Sequence, residues 1–161
     1  MDNNKLLKML ELDCSTPREQ LAAATGLTLE ELNDAVAQYE KSGVIVGYQA
    51  IVDWELVQPE AVTAMIAVTV TPQSIDGFDR IAERIYQYDE VEGLYLMSGT
   101  FDMTVVISGR TLREVAEFVG ARLAPIEGVT GTSTHFLLKK YKEKHRLLNR
   151  KKNEQERFVF E

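Results

Sequence analysis

The stretch Val91-Glu92-Gly93-Leu94-Tyr95-Leu96-Met97-Ser98-Gly99-Thr100-Phe101-Asp102-Met103-Thr104-Val105-Val106-Ile107-Ser108 holds two strand-like runs with only a short turn between them. Val91 to Met97 and Met103 to Ser108 are rich in β-branched and aromatic residues, and Ser98-Gly99-Thr100 breaks the run. Outward on the N-terminal side, Phe78, Ile81, Ala82 and Ile85 recur at helical spacing. Before that helix, Val62 to Thr71 alternates, with Val62, Ala64, Ile66, Val68 and Val70 on one face, and Pro72 closes the strand. On the C-terminal side, Thr111 can cap a helix carrying Leu112, Val115, Ala116, Val119 and Leu123. Pro125 and Gly128 end that helical region, and Val129 to Leu138 reads as a last strand. The order strand-helix-strand-strand-helix-strand is the split βαβ arrangement of ferredoxin-like folds. Right-handed crossovers place both helices on one face of a four-stranded antiparallel sheet. The other face is expected to be bare and apolar, so that a second copy of the chain would cover it.

The first third has a different period. Leu6, Leu7 and Leu10 mark an apolar stripe from about Asn3 to Leu12. Thr16-Pro17-Arg18-Glu19 predicts a helix start with Thr16 as cap and Pro17 in the first turn, and the helix ends near Thr25-Gly26. Thr28-Leu29-Glu30-Glu31 repeats the cap-to-Glu spacing. Leu29, Leu32, Val36 and Tyr39 form one buried face, Lys41 lies in the last turn, and Gly43 suits the C-terminal cap. Two capped helices around a Gly turn are the layout of a helix-turn-helix. Val44 to Val52 then reads as strand, with Gly47 at a turn or bulge. The resulting class is α+β: a winged helix-turn-helix at residues 1–47, a strand and linker at 48–60, a ferredoxin-like βαββαβ domain at 61–142, and a basic tail at 143–161.

Composition narrows the function classes. The chain has 161 residues, a single cysteine (Cys14) and two histidines (His135 and His145), so it cannot assemble a Cys/His structural zinc site. No metal or cofactor is expected. No apolar N-terminal region indicates a signal peptide, and Ala61 to Val70 is too short to span a bilayer, so a cytoplasmic protein without membrane contact is expected. The net charge of −7 conceals an asymmetry: residues 1–138 carry −12 and residues 139–161 carry +5. Such a tail suits either a polyanion or a solvated terminus. No Gly-rich phosphate loop, metalloprotease motif or nucleophile elbow is present, and no paired base accompanies Asp102, so an enzyme is not expected.

Three local features together carry a resemblance to the Lrp/AsnC (feast/famine) family of transcription regulators. Leu27-Thr28 opens the second helix after Gly26. Gly43-Val44-Ile45-Val46-Gly47-Tyr48 is similar to that family's "G-x-I-x-G-Y" step, and Leu96-Met97-Ser98-Gly99-Thr100-Phe101-Asp102 resembles its "G-x-[FY]-D" loop. The resemblance covers residues 3 to 142. It implies a DNA-binding helix-turn-helix joined to a ferredoxin-like (RAM) effector domain, assembled as dimers and often as tetramers or octamers. It also implies an amino acid or related metabolite bound near the "G-x-[FY]-D" loop, with binding that shifts oligomer state or DNA geometry.

The effector residues expected on this basis are Ser98, Gly99, Thr100, Phe101 and Asp102, with Thr132 and Thr134 on the last strand. Backbone amides around the loop suit a carboxylate, Asp102 suits an α-ammonium group, and the threonine hydroxyls could add hydrogen bonds. A tight hairpin, with Gly in a left-handed conformation and Asp bonding its own turn, is the alternative for the same residues. For double-stranded DNA, the expected contacts are Thr28, Asn33, Gln38 and Lys41 on the second capped helix. That helix departs from the family, whose members commonly place arginines along it: its outward positions include Glu30, Glu31 and Asp34, and residues 1–47 carry a net −4. Phosphate contact supplies most non-specific DNA affinity. Three readings therefore stay open: weak binding multiplied by oligomer avidity, charge supplied by the tail, or a metabolite-binding or interaction oligomer that has lost DNA binding.

Overall fold

The computed structural model describes residues 3–71 and 77–148. The described residues form two compact units, one within residues 53–140 and one of residues 3–52 with 141–148. The sequence boundaries at 47, 60 and 142 thus differ from the observed division, which gathers the residues up to Val52 and the segment from Tyr141 with the N-terminal helices.

In the N-terminal unit, α1 (Asn3–Leu12), α2 (Arg18–Thr25) and α3 (Leu29–Lys41) enclose a core of Leu6, Leu10, Leu21, Ala22, Leu32 and Val36. Each fully buried leucine contributes about 2 kcal/mol by leaving water. The α2–α3 turn depends on Gly26, whose left-handed backbone (φ 74°) lets its N–H return to the Ala22 carbonyl at 2.9 Å. α3 starts with a complete capping box. The Thr28 hydroxyl accepts the Glu31 N–H, and the Glu31 carboxylate accepts both the Thr28 N–H and its hydroxyl. At α2 the expected Thr16 cap does not form. Pro17 takes the cap position, and its carbonyl accepts the N–H groups of Gln20 and Leu21.

The strand expected at Val44–Val52 is irregular. Strand propensity needs a ladder, and no strand pairs with this segment among the described residues. It is tied to α3 instead, by the Ile45 N–H on the Tyr39 carbonyl (3.1 Å) and the Tyr48 hydroxyl on Glu40 (2.8 Å). Val44, Val46, Tyr48, Ile51 and Val52 are left exposed. The unit does contain a hairpin, but from the far end of the sequence: β5 (Lys142–Glu143) and β6 (Arg146–Leu147), within the segment read as a tail. Residues 149–161 of that tail lie outside the described residues, as does Pro72.

The second unit begins with the short helix α4 (Trp54–Val57) and contains β1 (Val62–Val70), α5 (Gly77–Tyr86), β2 (Val91–Leu96), β3 (Met103–Gly109), α6 (Leu112–Phe118) and β4 (Val129–Phe136). The sheet order is β2-β3-β1-β4, antiparallel throughout, as the split βαβ pattern predicts. Thr111 caps α6 by accepting the Glu114 N–H, and the helix runs into a wider π turn over Val119–Leu123. Ala64, Ile66, Val68, Met103, Val105 and Ile107 from the two central strands pack with Ile81, Ile85, Val115, Phe118 and Leu123 into one core. The opposite sheet face is less apolar than expected. Thr63, Met65, Ala67 and Thr69 alternate there, opposite Ser108, Val106 and Thr104 on β3 and His135, Ser133 and Gly131 on β4. Cross-strand partners share a face, so this face mixes hydroxyls, an imidazole and a few apolar groups.

The α3 cap has a testable pH signature. Thr28→Ala is expected to lower the unfolding free energy of the protein by about 1 kcal/mol near neutral pH in urea titrations. Bonds from the Thr28 amide, then its hydroxyl, hold the Glu31 carboxyl below its ordinary 4.5. A carboxyl depressed on folding stabilises above its unfolded value and loses that contribution as pH falls through the folded one. The gap between parent and variant should therefore narrow as pH falls below the ordinary 4.5 and through the lower folded value.

Candidate functional site

The outward surface of α3 carries Glu30, Glu31, Asn33, Asp34, Ala37, Gln38, Glu40 and Lys41, all exposed. Asn33, Ala37 and Lys41 follow one another at i, i+4, i+8 on one face, with Gln38 beside them. Two of the acids have structural work. Glu31 closes the capping box, and Glu40 accepts the Tyr48 hydroxyl. Burial and then the Glu40 hydrogen bond raise the Tyr48 phenol above its ordinary value, while Arg18 opposes them. Glu30 and Glu31 also sit in the first turn, where the helix dipole favours negative charge, and Lys41 sits in the last. Of the expected DNA contacts, Asn33, Gln38 and Lys41 present their side chains to solvent. Thr28 has its hydroxyl engaged as both donor and acceptor within the cap.

The loop between β2 and β3 is the expected effector element. The Met97 N–H donates to the Asp102 carbonyl at 2.7 Å, and the Asp102 N–H donates to the Val68 carbonyl at 3.0 Å. Oδ2 of Asp102 accepts the Val70 N–H at 2.8 Å. Asp102 is thus half-buried and bonded to β1, where sequence reasoning saw an acid for an ammonium group or for its own turn. Its second carboxylate oxygen retains acceptor capacity. Ser98, Gly99 and Thr100 are exposed and Phe101 is half-buried. Among the described residues, the N–H groups of residues 98–101 take part in no hydrogen bond. Gly99 is not left-handed, and a Cβ built on it would meet nothing within 4 Å.

Thr132 and Thr134 stand opposite Val68 and Ile66 in the β1–β4 register, hence on the helix-covered side of the sheet. Val68 thus faces Thr132 on β4 and Met103 on β3, and its carbonyl accepts the N–H of Asp102, the loop residue just before β3. Thr134 lies one further step along the same face, away from the loop. The structure brings Thr132 to the loop's end of the sheet and leaves Thr134 farther off. Two clefts of this unit, of about 350 and 390 Å³, are lined by other residues, among them Phe78, Tyr86 and Leu94 in one and Val115, Phe118 and Arg122 in the other. The loop enters neither. Among the described residues, no group of three or more His, Cys, Asp or Glu side chains is placed to hold a metal. No described helix is long and apolar enough to cross a membrane.

Residues 63–147 match the family model described as the Lrp/AsnC ligand binding domain. The chain belongs to the Lrp/AsnC family. A Bacillus subtilis relative, the HTH-type transcriptional regulator YugG, is 44% identical over 139 residues, covering 86% of this chain and 84% of its own. The HTH-type transcriptional regulator FL11 of Pyrococcus horikoshii is 29% identical over 88% of this chain and 90% of its own. Among solved structures, an AsnC family transcriptional regulator from Agrobacterium tumefaciens matches with a TM-score of 0.71 at 26% identity, over 91% of this chain and 96% of its own. A Neisseria meningitidis transcriptional regulator solved in complex with L-Met matches the fold with a TM-score of 0.70 at 21% identity, over 88% of this chain and 90% of its own. These Lrp/AsnC relatives are regulators rather than enzymes.

Sequence reasoning missed two features of this Lrp/AsnC chain. The bond from Val70 to Asp102 spans 32 positions and leaves no local trace. The ordered hairpin at 142–147 was visible only as positive charge.

Asp102→Ala would strand the Val70 N–H. Urea unfolding is expected to show a loss of about 1–3 kcal/mol, with Asp102→Asn, which keeps an acceptor, losing less. Gly99→Ala is expected to stay within about 0.5 kcal/mol of the parent.

Proposed function

We propose that this chain is a cytoplasmic, sequence-specific DNA-binding transcriptional regulator that works as a homo-oligomer and responds to an amino acid or related metabolite. The observation that carries the reading is the pairing, in one Lrp/AsnC chain, of an α2–α3 helix pair, joined at Gly26 and with α3 closed by a complete capping box, with a ferredoxin-like unit. In this reading α3 enters the major groove, Asn33 and Gln38 meet adenine edges, Lys41 meets guanine or phosphate, and Thr28 holds the helix start in place.

The effector lies against residues 98–102, with Thr132 and, one step farther from the loop, Thr134 as the hydroxyl-bearing residues of β4, the strand beyond β1. Four features support this. The amides of residues 98–101 are available to a carboxylate. Asp102 keeps one acceptor oxygen for an ammonium group. Gly99 is bare without any need within its own chain. A fold-level neighbour was solved with L-Met. The loop lines neither cleft of the single chain, although Leu96 and Met103 at its two ends line the first; in this reading a second copy covers the loop and makes effector binding depend on assembly. Only a difference in effector affinity between assembly states shifts their populations.

The exposed acids of α3 favour one competing reading, an oligomer that senses a metabolite without touching DNA. Fluorescence anisotropy separates the two. The purified protein is titrated onto DNA from its own upstream region and onto unrelated DNA of equal length, across a salt series, with and without an amino-acid mixture. The proposal expects submicromolar, salt-sensitive binding that prefers the upstream DNA and shifts with amino acids. Absence of binding to either DNA at low salt, by a folded oligomer, would overturn the DNA-binding reading and leave the competing one standing.

A further inference from the structure

The β5–β6 hairpin belongs to the helix-turn-helix unit and is held to it by Arg146, whose guanidinium donates to the Leu12 carbonyl at 3.0 Å and lies 3.9 Å from the Asp13 carboxylate. Strand pairing of Lys142 with Leu147 and Glu143 with Arg146 is extended by the Leu148 N–H on the Tyr141 carbonyl. Within five residues the hairpin presents Lys142, Lys144, His145 and Arg146, with Glu143 as its one acid. The described part of the same unit holds only four other Lys or Arg residues, Lys5, Lys8, Arg18 and Lys41. Of these, Lys5 donates to the Ala24 carbonyl, and Arg18 lies beside Tyr48.

The tip adds an independent observation. Lys144 (φ 42°) and His145 (φ 69°) are the only non-glycine residues at positive φ among those described. Two central residues in that region make the two-residue turn of type I′, a position that strongly favours Asn-Gly. Keeping Lys-His there costs stability, and such strain at an exposed tip points to use of the side chains.

We propose that this hairpin is the wing of the helix-turn-helix and grips the DNA phosphate backbone through Lys142 and Lys144, with Arg146 as its anchor to α1. The inference rests on the DNA-binding reading and adds to it the element that supplies the phosphate contacts. Residues 1–47 carry −4, and α3 exposes Glu30 and Asp34 beside its base-reading positions. A helix of that charge gains specificity from Asn33 and Gln38 but little affinity from the backbone. The hairpin concentrates positive charge on the same unit, so wing and helix divide the work between phosphate and base contacts.

The test uses the full chain with Lys142→Gln and Lys144→Gln combined, titrated by anisotropy onto upstream and unrelated DNA over a salt series. Both lysines are exposed, and an unchanged circular dichroism melting curve verifies the fold. Loss of two phosphate contacts is expected to flatten the log–log salt slope by about two per DNA-bound unit and to weaken binding about thirtyfold at 0.15 M salt, equally on both DNAs. Asn33→Ala with Gln38→Ala should do the reverse, erasing the preference for upstream DNA and keeping the slope. A parent that binds DNA with a lysine variant of unchanged slope and affinity would overturn the wing and leave the regulator reading standing. So would a loss confined to upstream DNA, which would make the hairpin a base reader. A parent that binds no DNA would overturn both.

Discussion

The carboxylate of Asp102 on the Val70 amide is the bond around which the geometry of the β2–β3 loop is arranged. β1 is the inner strand that pairs with both β3 and β4, and its end is where the β2–β3 connection must be tethered. Asp102 does this with two bonds, accepting from Val70 and donating to Val68. With Met97 closed onto the Asp102 carbonyl, both ends of the loop are pinned and the four residues between them are not. Amides 98–101 are thereby held at the sheet end without being consumed by it. A carboxylate at Asp102 can serve in this way and still meet a ligand, because a charged carboxylate accepts more than one hydrogen bond.

Charge follows a similar division between support and contact. The acids of α3 contradict a simple picture of a basic recognition helix, yet Glu31 and Glu40 are each explained by a bond inside the unit. Glu30 gains from its place at the helix N-terminus. What stabilises the helix as a helix thus works against its approach to a polyanion. The opposing charge lies at the far end of the sequence, returned to the same unit by a chain that leaves at Val52 and comes back at Tyr141. Near these crossings, within the other unit, the Lys140 amide donates to the Glu55 carboxylate.

Much of this was legible from residues alone, where the determinant is local. The helical stripes, the Thr28–Glu31 and Thr111–Glu114 caps, and the alternation of β1 all follow from spacing of two, three or four residues. The β2–β3 hairpin followed from the absence of a helix between Leu96 and Met103, and the four-stranded antiparallel sheet from the strand-helix-strand-strand-helix-strand succession. Val44–Val52 was misread because β-branched residues state a preference that only a pairing partner realises. Thr16 lost the cap to Pro17 although the spacing suited it. The hairpin at 142–147 was hidden because Glu143-Lys144-His145-Arg146 contains none of the turn residues that announce one. In the candidate site the loop residues could be named from their motif, but their bonding could not. Asp102 acts across the sheet, and the side on which Thr132 and Thr134 project is set by register with β1.

Two glycines of the second unit separate what the chain requires of itself from what it does not. Gly128 is left-handed (φ 94°), which by itself favours glycine, and a Cβ there would come within 2.8 Å of the Ile81 side-chain tip, which would have to shift. Gly99 has neither reason: its backbone is one any residue adopts, and the space around it is empty. Packing within one chain therefore accounts for the first and is silent on the second. On the proposed reading, the constraint at Gly99 comes from a molecule that approaches the backbone closely, and a side chain there would cover the amides that meet it. That places the demand outside the monomer, at the point where Asp102 holds the loop open.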